Sequence, residues 1–327
     1  MSQGNQVAEF ERATAKFLGV DSSSVIAVSS GTAALSLATS ILEPKLEFQV
    51  MHVPAITFIA TINSILSIDK EADVSVKIED IEPDTWNMYP CPGYKVTVDL
   101  YGNSNQYKYL DNVVIEDAAE AFGSEYDGKK CGTFGDFGVF SFFENKTITT
   151  GGEGGLLYCK NKEDADKARL LRQQGKDYAM ELHKYRGYNY RMTEMQAAFG
   201  LAQLKRVNLI IEAKRHIHAL YKDLIGDSVT FQREIGKQCP WLTCVKFTSK
   251  YKRDKAKEKL KEANIQSRLP FAPLYYNPPY QSDKSYCPAA EVLYNGGLCL
   301  PNFSAMTDDQ VRQVCRIIKT SEEETKY

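Results

Sequence analysis

Two short apolar runs, each followed closely by an ionisable residue, constrain this chain more than anything else in it. Val113-Val114-Ile115 leads into Asp117, and Phe137 to Phe143 leads into Lys146. A run that is apolar at consecutive positions shows no polar face to water, so it reads as a strand covered on both sides. Such strands belong to parallel sheets layered with helices. Ligands of those sheets gather at the carboxyl ends of the strands. A carboxylate and a lysine at two such ends meet over one crevice.

The stretch that carries both, residues 113–155, reads VVIEDAAEAFGSEYDGKKCGTFGDFGVFSFFENKTITTGGEGG. Taken singly, a strand-end Asp is most often a turn or cap residue, and a Lys is most often solvated surface. As a pair among Gly-rich turns they suit pyridoxal 5'-phosphate. A lysine amine bonds the cofactor aldehyde, and a carboxylate keeps the pyridine nitrogen protonated so that the ring draws electrons. Upstream, Ser24 to Val28 reads as a strand, and Ser29-Ser30-Gly31-Thr32 follows it. Ala34, Leu37, Ala38, Ile41 and Leu42 then recur at helical spacing. That turn caps a helix N-terminus, where free N–H groups and the positive end of the dipole face an anion. Gly31, Thr32 and Ala33 are the candidate phosphate cradle; a plain N-cap is the competing reading.

The tract from Ile115 to Gly155 closely resembles the nucleotide-sugar aminotransferases of the DegT/DnrJ/EryC1/StrS family, and the resemblance runs from about Val7 to the last helix. It implies an α/β fold of the aspartate aminotransferase kind (fold type I, PLP-dependent transferase). A large cofactor-binding domain, residues 1–210, would hold a mostly parallel seven-stranded sheet, and residues 211–327 a smaller α+β domain. It also implies a homodimer with shared active sites. By position, Phe58 would stack on the cofactor ring, Glu120 would touch that ring where the family most often has Gln or His, and Ser141 would contact the phosphate. Asn189 would reach the partner subunit's phosphate, with Arg191 the second candidate there. The segment Arg268 to Tyr280 would line the sugar site, with Tyr275 standing where a His is common. Each has a plainer alternative: a core Phe, a solvated helix-face Glu, an inward strand hydroxyl, a loop Asn and a surface Arg. For Phe58 both readings predict low exposure. The family usually has a longer segment before the strand at Lys95, another before Val113, and a piece ahead of its first motif, so peripheral elements are expected to be trimmed here.

The wording FSFFENKTITTGGEGG is most similar to enzymes that aminate C4 of 4-keto-6-deoxy sugars, such as GDP-perosamine synthases. The resemblance therefore implies amination at C4 with an amino-acid donor, L-glutamate in most of the family. Amination at C3 is the alternative, and a PLP-binding regulatory protein without turnover is another. A related group replaces the lysine with histidine and deoxygenates the sugar; Lys146 argues against that chemistry. A nicotinamide dehydrogenase is excluded by the absence of a GxGxxG turn with its acidic ribose ligand.

Composition narrows the partners. With 40 basic and 42 acidic residues the net charge is -2, so no broad field favours nucleic acid or an anionic membrane. No apolar run reaches the ~18 residues of a membrane span, and the start lacks the order of a signal peptide. The eight cysteines include no CxxC pair, and two of the four histidines, His216 and His218, cannot share a helical face. No metal site or disulfide framework is expected, and reduced thiols in a cytoplasm are. The 327 residues suggest about two domains. Further elements expected are an amphipathic helix over Val7–Leu18, strands over Phe48–Val53, Val74–Ile78, Lys95–Leu100 and Cys244–Phe247, and a helix over Asn161–Gln174. A capping box at Thr193 and Gln196 opens a single long helix to about Leu224, crossing between domains. Arg253 to Ala263 reads as a solvated charged helix. A second box at Thr307 and Gln310 opens the last helix.

Overall fold

The computed structural model describes residues 4–46, 49–67, 74–177, 179–281 and 286–323. Seven strands form one sheet: β1 (Val25–Val28), β2 (Val50–Pro54), β3 (Ser75–Glu79), β4 (Tyr94–Val98), β5 (Val113–Asp117), β6 (Phe137–Ser141) and β7 (Gly155–Cys159). Their order across the sheet is β1-β7-β6-β5-β4-β2-β3. The pairs β2–β3, β2–β4, β4–β5 and β5–β6 are parallel, and β7 runs antiparallel to both its neighbours. The mostly parallel sheet expected from the apolar runs is present. β7 has no counterpart in the sequence reading. No helix separates it from β6, so the chain turns back beside β6 instead of crossing over. The expected strand over Phe48–Val53 is β2, two residues later; Phe48 itself lies outside the described residues.

Helices cover the sheet because its strands are apolar on both faces. α1 (Asn5–Leu18) buries Val7, Phe10, Ala15 and Leu18 and stops at Gly19, whose φ of 73° no other residue adopts cheaply. α2 (Gly31–Leu46) follows β1, and Ser30 caps it: its Oγ accepts from the Ala33 N–H at 3.1 Å. α3 is Ala60–Leu66 and α4 is Lys162–Arg172, the latter capped by Asn161 as expected. The capping box at Thr193 and Gln196 is present and opens α5, Glu194–Leu204.

The single long helix expected to follow is two helices. α5 ends at Leu204, Arg206 leaves the helical range at φ -113° and ψ 6°, and α6 runs from Val207 to Ile225. The apolar spacing continues through the break, which is why the sequence reads as one helix. The two halves serve different neighbours: α5 packs against α1 and α6 against α9 (Asp308–Glu323). The second capping box is present at the start of α9, with Thr307 N–H on Gln310 Oε1 at 2.9 Å.

A second, three-stranded sheet joins β8 (Thr230–Phe231), β9 (Thr243–Lys246) and β10 (Gly297–Leu300). With α6, α7 (Lys250–Glu262) and α9 it encloses its own apolar cluster, including Tyr221, Val245, Leu260, Leu298, Val311 and Ile318. The charged α7 is not wholly solvated. Arg253 is 3% exposed and donates to the carbonyls of Tyr294 and Gly297 at 3.0 and 3.1 Å. All eight cysteines are unpaired. Among the described residues no helix is long and apolar enough to cross a membrane.

Gly138, in the middle of β6, shows how tightly the strand that leads to Lys146 is packed. A Cβ there would lie 1.8 Å from the Gly132 carbonyl oxygen, which is backbone and cannot rotate away. Gly138→Ala is expected to destabilise the protein by at least ~2 kcal/mol, read as a lowered denaturation midpoint. An unchanged midpoint would mean the 132–135 loop is free to yield.

Candidate active site

Three strand ends converge. β5 ends on Asp117, the turn after β6 carries Lys146, and the turn after β1 carries Ser30, Gly31 and Thr32. With Thr57, Phe58, Glu120, Ser141, Trp241, Arg268 and Phe271 they line one cavity of 310 Å³. Asp117 is 5% exposed. Its Oδ2 accepts from the Thr61 hydroxyl at 2.8 Å and its Oδ1 from the Ala119 N–H at 3.2 Å. Thr61 Oγ1 is in turn 2.8 Å from Thr57 Oγ1. Glu120 was expected one helical turn beyond Asp117. No helix forms there: Ala118 to Gly123 is a pair of turns, with the Ala121 N–H on the Ala118 carbonyl at 3.0 Å. Nor is Glu120 solvated. It is as buried as Asp117, its Oε2 accepts from the Tyr101 N–H at 2.8 Å, and its Oε1 lies 3.6 Å from Lys146 Nζ.

Burial governs the electrostatics. Loss of water pushes the Asp117 and Glu120 carboxyls above their ordinary values and the Lys146 amine below its own. The three groups partly offset this for one another, since Glu120 and then Asp117 favour the charged lysine, and Lys146 favours both carboxylates. Arg268 pulls Lys146 further down. The result is an amine that becomes a free base at lower pH than an ordinary lysine, held beside two carboxylates.

The helix start fits an anion. Ser30 takes the Ala33 N–H for its own cap, so Ala33 does not line the cavity, whereas Gly31 and Thr32 do. Gly31 suits a close approach: a Cβ there would lie 3.0 Å from Ser141 Cβ, so Ser141 would have to give by a few tenths of an ångström. Phe58 departs from expectation. It is 56% exposed, with its ring on the cavity wall 5.9 Å from the ring of Phe271. It sits on the loop between β2 and α3 rather than under the sheet, so it is not a core Phe.

Three candidates lie elsewhere. Asn189 is exposed and pairs through its backbone with Gln173; Arg191 is half-buried and bridges Val28. Neither lines the cavity. The Tyr275 hydroxyl donates to Glu291 Oε1 at 3.1 Å, also away from it. Sequence reasoning missed Thr61 and Trp241; Arg268 and Phe271, which line the cavity, lie in the segment expected at the sugar site. Trp241 lies 3.7 Å under Lys146 Nζ, measured to the ring centroid. It arrives from some 95 residues further along, and nothing in its local sequence marks it. Thr61 was findable, being a Thr in the first turn of the helix after β2.

These residues fit pyridoxal phosphate. An amine and a buried carboxylate face one cavity, uncapped amides of a helix start lie beside a hydroxyl, and a flat ring lies on the wall. Fold and site together define a fold type I pyridoxal-phosphate-dependent transferase. The chain matches the DegT/DnrJ/EryC1/StrS aminotransferase family over residues 1–319 and belongs to it. It is 34% identical to the GDP-perosamine synthase of Escherichia coli O157:H7, over 97% of this chain and 90% of that one. It is 30% identical to the UDP-N-acetyl-3-dehydro-alpha-D-glucosamine 3-aminotransferase of Acidithiobacillus ferrooxidans (strain ATCC 23270), over 97% and 88%. Among solved structures it resembles a GDP-4-keto-6-deoxymannose-3-dehydratase with a trapped PLP-glutamate geminal diamine, with a TM-score of 0.87 and 25% identity, covering 97% of this chain and 93% of that one. The protein is a PLP-dependent sugar aminotransferase.

Because Glu120 favours the charged form of Lys146, removing its charge leaves burial less opposed. Glu120→Gln is therefore expected to lower the Lys146 titration further. The pH dependence of the rate at which apoprotein captures pyridoxal phosphate checks this: its midpoint should move to lower pH, and an upward move contradicts the arrangement.

Proposed function

We propose that this enzyme transfers an amino group from L-glutamate to C4 of a nucleotide-linked 4-keto-6-deoxy sugar, giving a 4-amino-4,6-dideoxy sugar nucleotide. One observation carries the reading: Lys146 Nζ shares a single buried cavity with Asp117 and Glu120, beside the free helix start at Gly31 and Thr32. The similarity to GDP-perosamine synthase supports C4. The relative whose name places its amine at position 3 favours C3 as the second reading.

Bound pyridoxal phosphate supplies an aldehyde that accepts the amino group and a cationic ring that draws off electrons. Gly31 and Thr32 N–H groups, the Thr32 hydroxyl and Ser141 would hold its phosphate. Asp117 would serve the ring nitrogen. Burial alone would favour a neutral Asp117, but Thr61, Ala119 and a cationic ring nitrogen all favour the carboxylate. Phe58 would cover a ring face. Lys146 Nζ would hold the cofactor at rest. Once freed, it takes the proton from the donor's α-carbon as general base, and in the second half-reaction returns a proton to the sugar carbon that receives nitrogen. Its depressed affinity for protons suits the first task, and the neighbouring carboxylates keep it chargeable for the second. Arg191 and Tyr275, which do not line this chain's own cavity, are inferred as substrate contacts from the family's positions alone.

We infer a homodimer in which Asn189 completes the partner's site; its exposure and its absence from its own cavity lining support this. We also propose a division into units at about residue 210, and a cytoplasmic setting on the strength of eight free thiols.

Purified protein given pyridoxal phosphate should show the visible band of lysine-bound cofactor, and glutamate should bleach it. A 4-keto sugar nucleotide should restore it, with nitrogen on C4 of the product by NMR; nitrogen on C3 would assign the second reading instead. Lys146→Ala should cut turnover by about a thousandfold or more while leaving the fold and some cofactor binding intact. Appreciable residual transamination would remove Lys146 from the role. Asp117→Asn should lower kcat with little change in melting temperature. Mixing Lys146→Ala with Asn189→Ala protein should restore activity through hybrid dimers; failure to complement would count against shared sites.

A further inference from the structure

Resting on the reading that Lys146 Nζ is the reacting amine, we propose that Trp241 and Glu120 form a non-covalent seat for that amine whenever it is released. Transfer of an amino group requires the lysine to leave and return in each half-reaction. A free ammonium on a side chain only 12% exposed needs a partner near at hand, and in the proposed reaction Asp117 is committed to the ring nitrogen.

The seat is visible in the positions of the side chains. Lys146 Nζ lies 3.7 Å from the centroid of the Trp241 ring and 3.6 Å from Glu120 Oε1. An aromatic face attracts a cation by its quadrupole, and more so when water is excluded. Trp241 is 3% exposed.

Both halves of the seat are tied to one residue. Tyr101 donates its N–H to Glu120 Oε2 at 2.8 Å, and its carbonyl accepts from the Trp241 N–H at 3.0 Å. To do so it takes a φ of 57°, a left-handed conformation that costs a bulky residue free energy and persists only where surroundings enforce it. The indole edge is pinned as well, with Nε1 donating to the Asn145 carbonyl at 2.8 Å, immediately before Lys146.

A buried lysine holds the seat from behind. Lys214 Nζ donates to the carbonyls of Trp241 and Asn302 at 3.1 and 2.5 Å, and among the described residues no carboxylate pairs with it. Burial brings its pKa down to about 8. Charged or neutral, it still has N–H groups for both carbonyls, so the tie survives its titration. On the other side Phe271 stacks on the indole at 6.3 Å, and the Arg268 guanidinium lies 5.4 Å from both rings. The groups that set the charge of the seated amine are thus Glu120, Asp117 and Arg268, with Lys214 on the Trp241 backbone carbonyl.

Trp241 is accordingly a positioning residue that acts through Lys146. The test uses apoprotein, without cofactor or substrate. The indole emission of the wild type, minus that of Lys146→Met, should change with pH at the midpoint found for aldehyde capture, because the ammonium sits on the Trp241 face. Trp241→Leu should lower the ratio of protonated to free Lys146 roughly two- to fivefold at fixed pH, moving the capture midpoint to lower pH. Trp241→Phe, which keeps a ring in place, should fall between, and serves if the leucine variant does not fold. A difference emission flat across that pH range, or a midpoint the same in all three proteins, overturns the seat. Since the emission is read without either substrate, its failure leaves the proposed reaction standing. Loss of the glutamate-sensitive visible band would instead remove that reaction and leave the seat.

Discussion

Lys146, Asp117 and Glu120 are withdrawn from water at one edge of the sheet, where an isolated charge would cost several kcal/mol. They are tolerated because each answers another. Glu120 Oε1 lies 3.6 Å from Lys146, Asp117 accepts from Thr61 and Ala119, and Glu120 accepts from Tyr101. The balance is incomplete by construction: burial still raises both carboxyls and lowers the amine. A protein selected for stability alone would gain by filling this cavity with apolar side chains. Keeping the groups half-compensated leaves an amine that gains and loses protons readily.

The scaffold supports that site through alternation along β5. Adjacent residues of a strand point to opposite faces, so Asp117 lines the cavity while Glu116 faces away. Glu116 is fully buried and accepts from the N–H groups of Gly132, Phe134 and Gly135 at 2.5, 2.6 and 3.3 Å. Those amides belong to the turn that feeds β6, which delivers Ser141 and then Lys146. One side of β5 thus presents the carboxylate, and the other positions the strand that brings the lysine to meet it. Gly138, with the Gly132 carbonyl directly behind it, fixes the spacing between the two.

The fold does not decide the reaction. A dehydratase with a TM-score of 0.87 shares it, and both a GDP-perosamine synthase and a sugar 3-aminotransferase match this chain over most of its length. What separates these chemistries lies in a few side chains over one cavity and in the loops around it. In the reaction proposed here the decisive residue is Lys146, in the turn after β6, backed by an indole from the segment that leads into β9.

Much of this was legible in the chain alone, because local signals carry it. Consecutive apolar residues mark strands buried on both faces, Ser30 and Thr193 mark helix starts, and Asp117 and Lys146 stand directly after the runs that present them. The carboxylate and the lysine depend on short-range spacing; the turn at Ser29 to Thr32 by itself marks only a helix start, and its reading as a phosphate site comes from the family resemblance. What only the tertiary structure decided depends on contacts between distant segments. The break between α5 and α6 reflects two different packing partners, which an unbroken apolar period cannot reveal. Phe58 is exposed because a loop, not the core, carries it. Glu120 is buried because Tyr101 claims its second oxygen, and Trp241 reaches Lys146 because α6 and the small sheet carry it back across the cavity. Residues so far apart leave no mark on each other's neighbourhood in the sequence, so their meeting is a property of the fold.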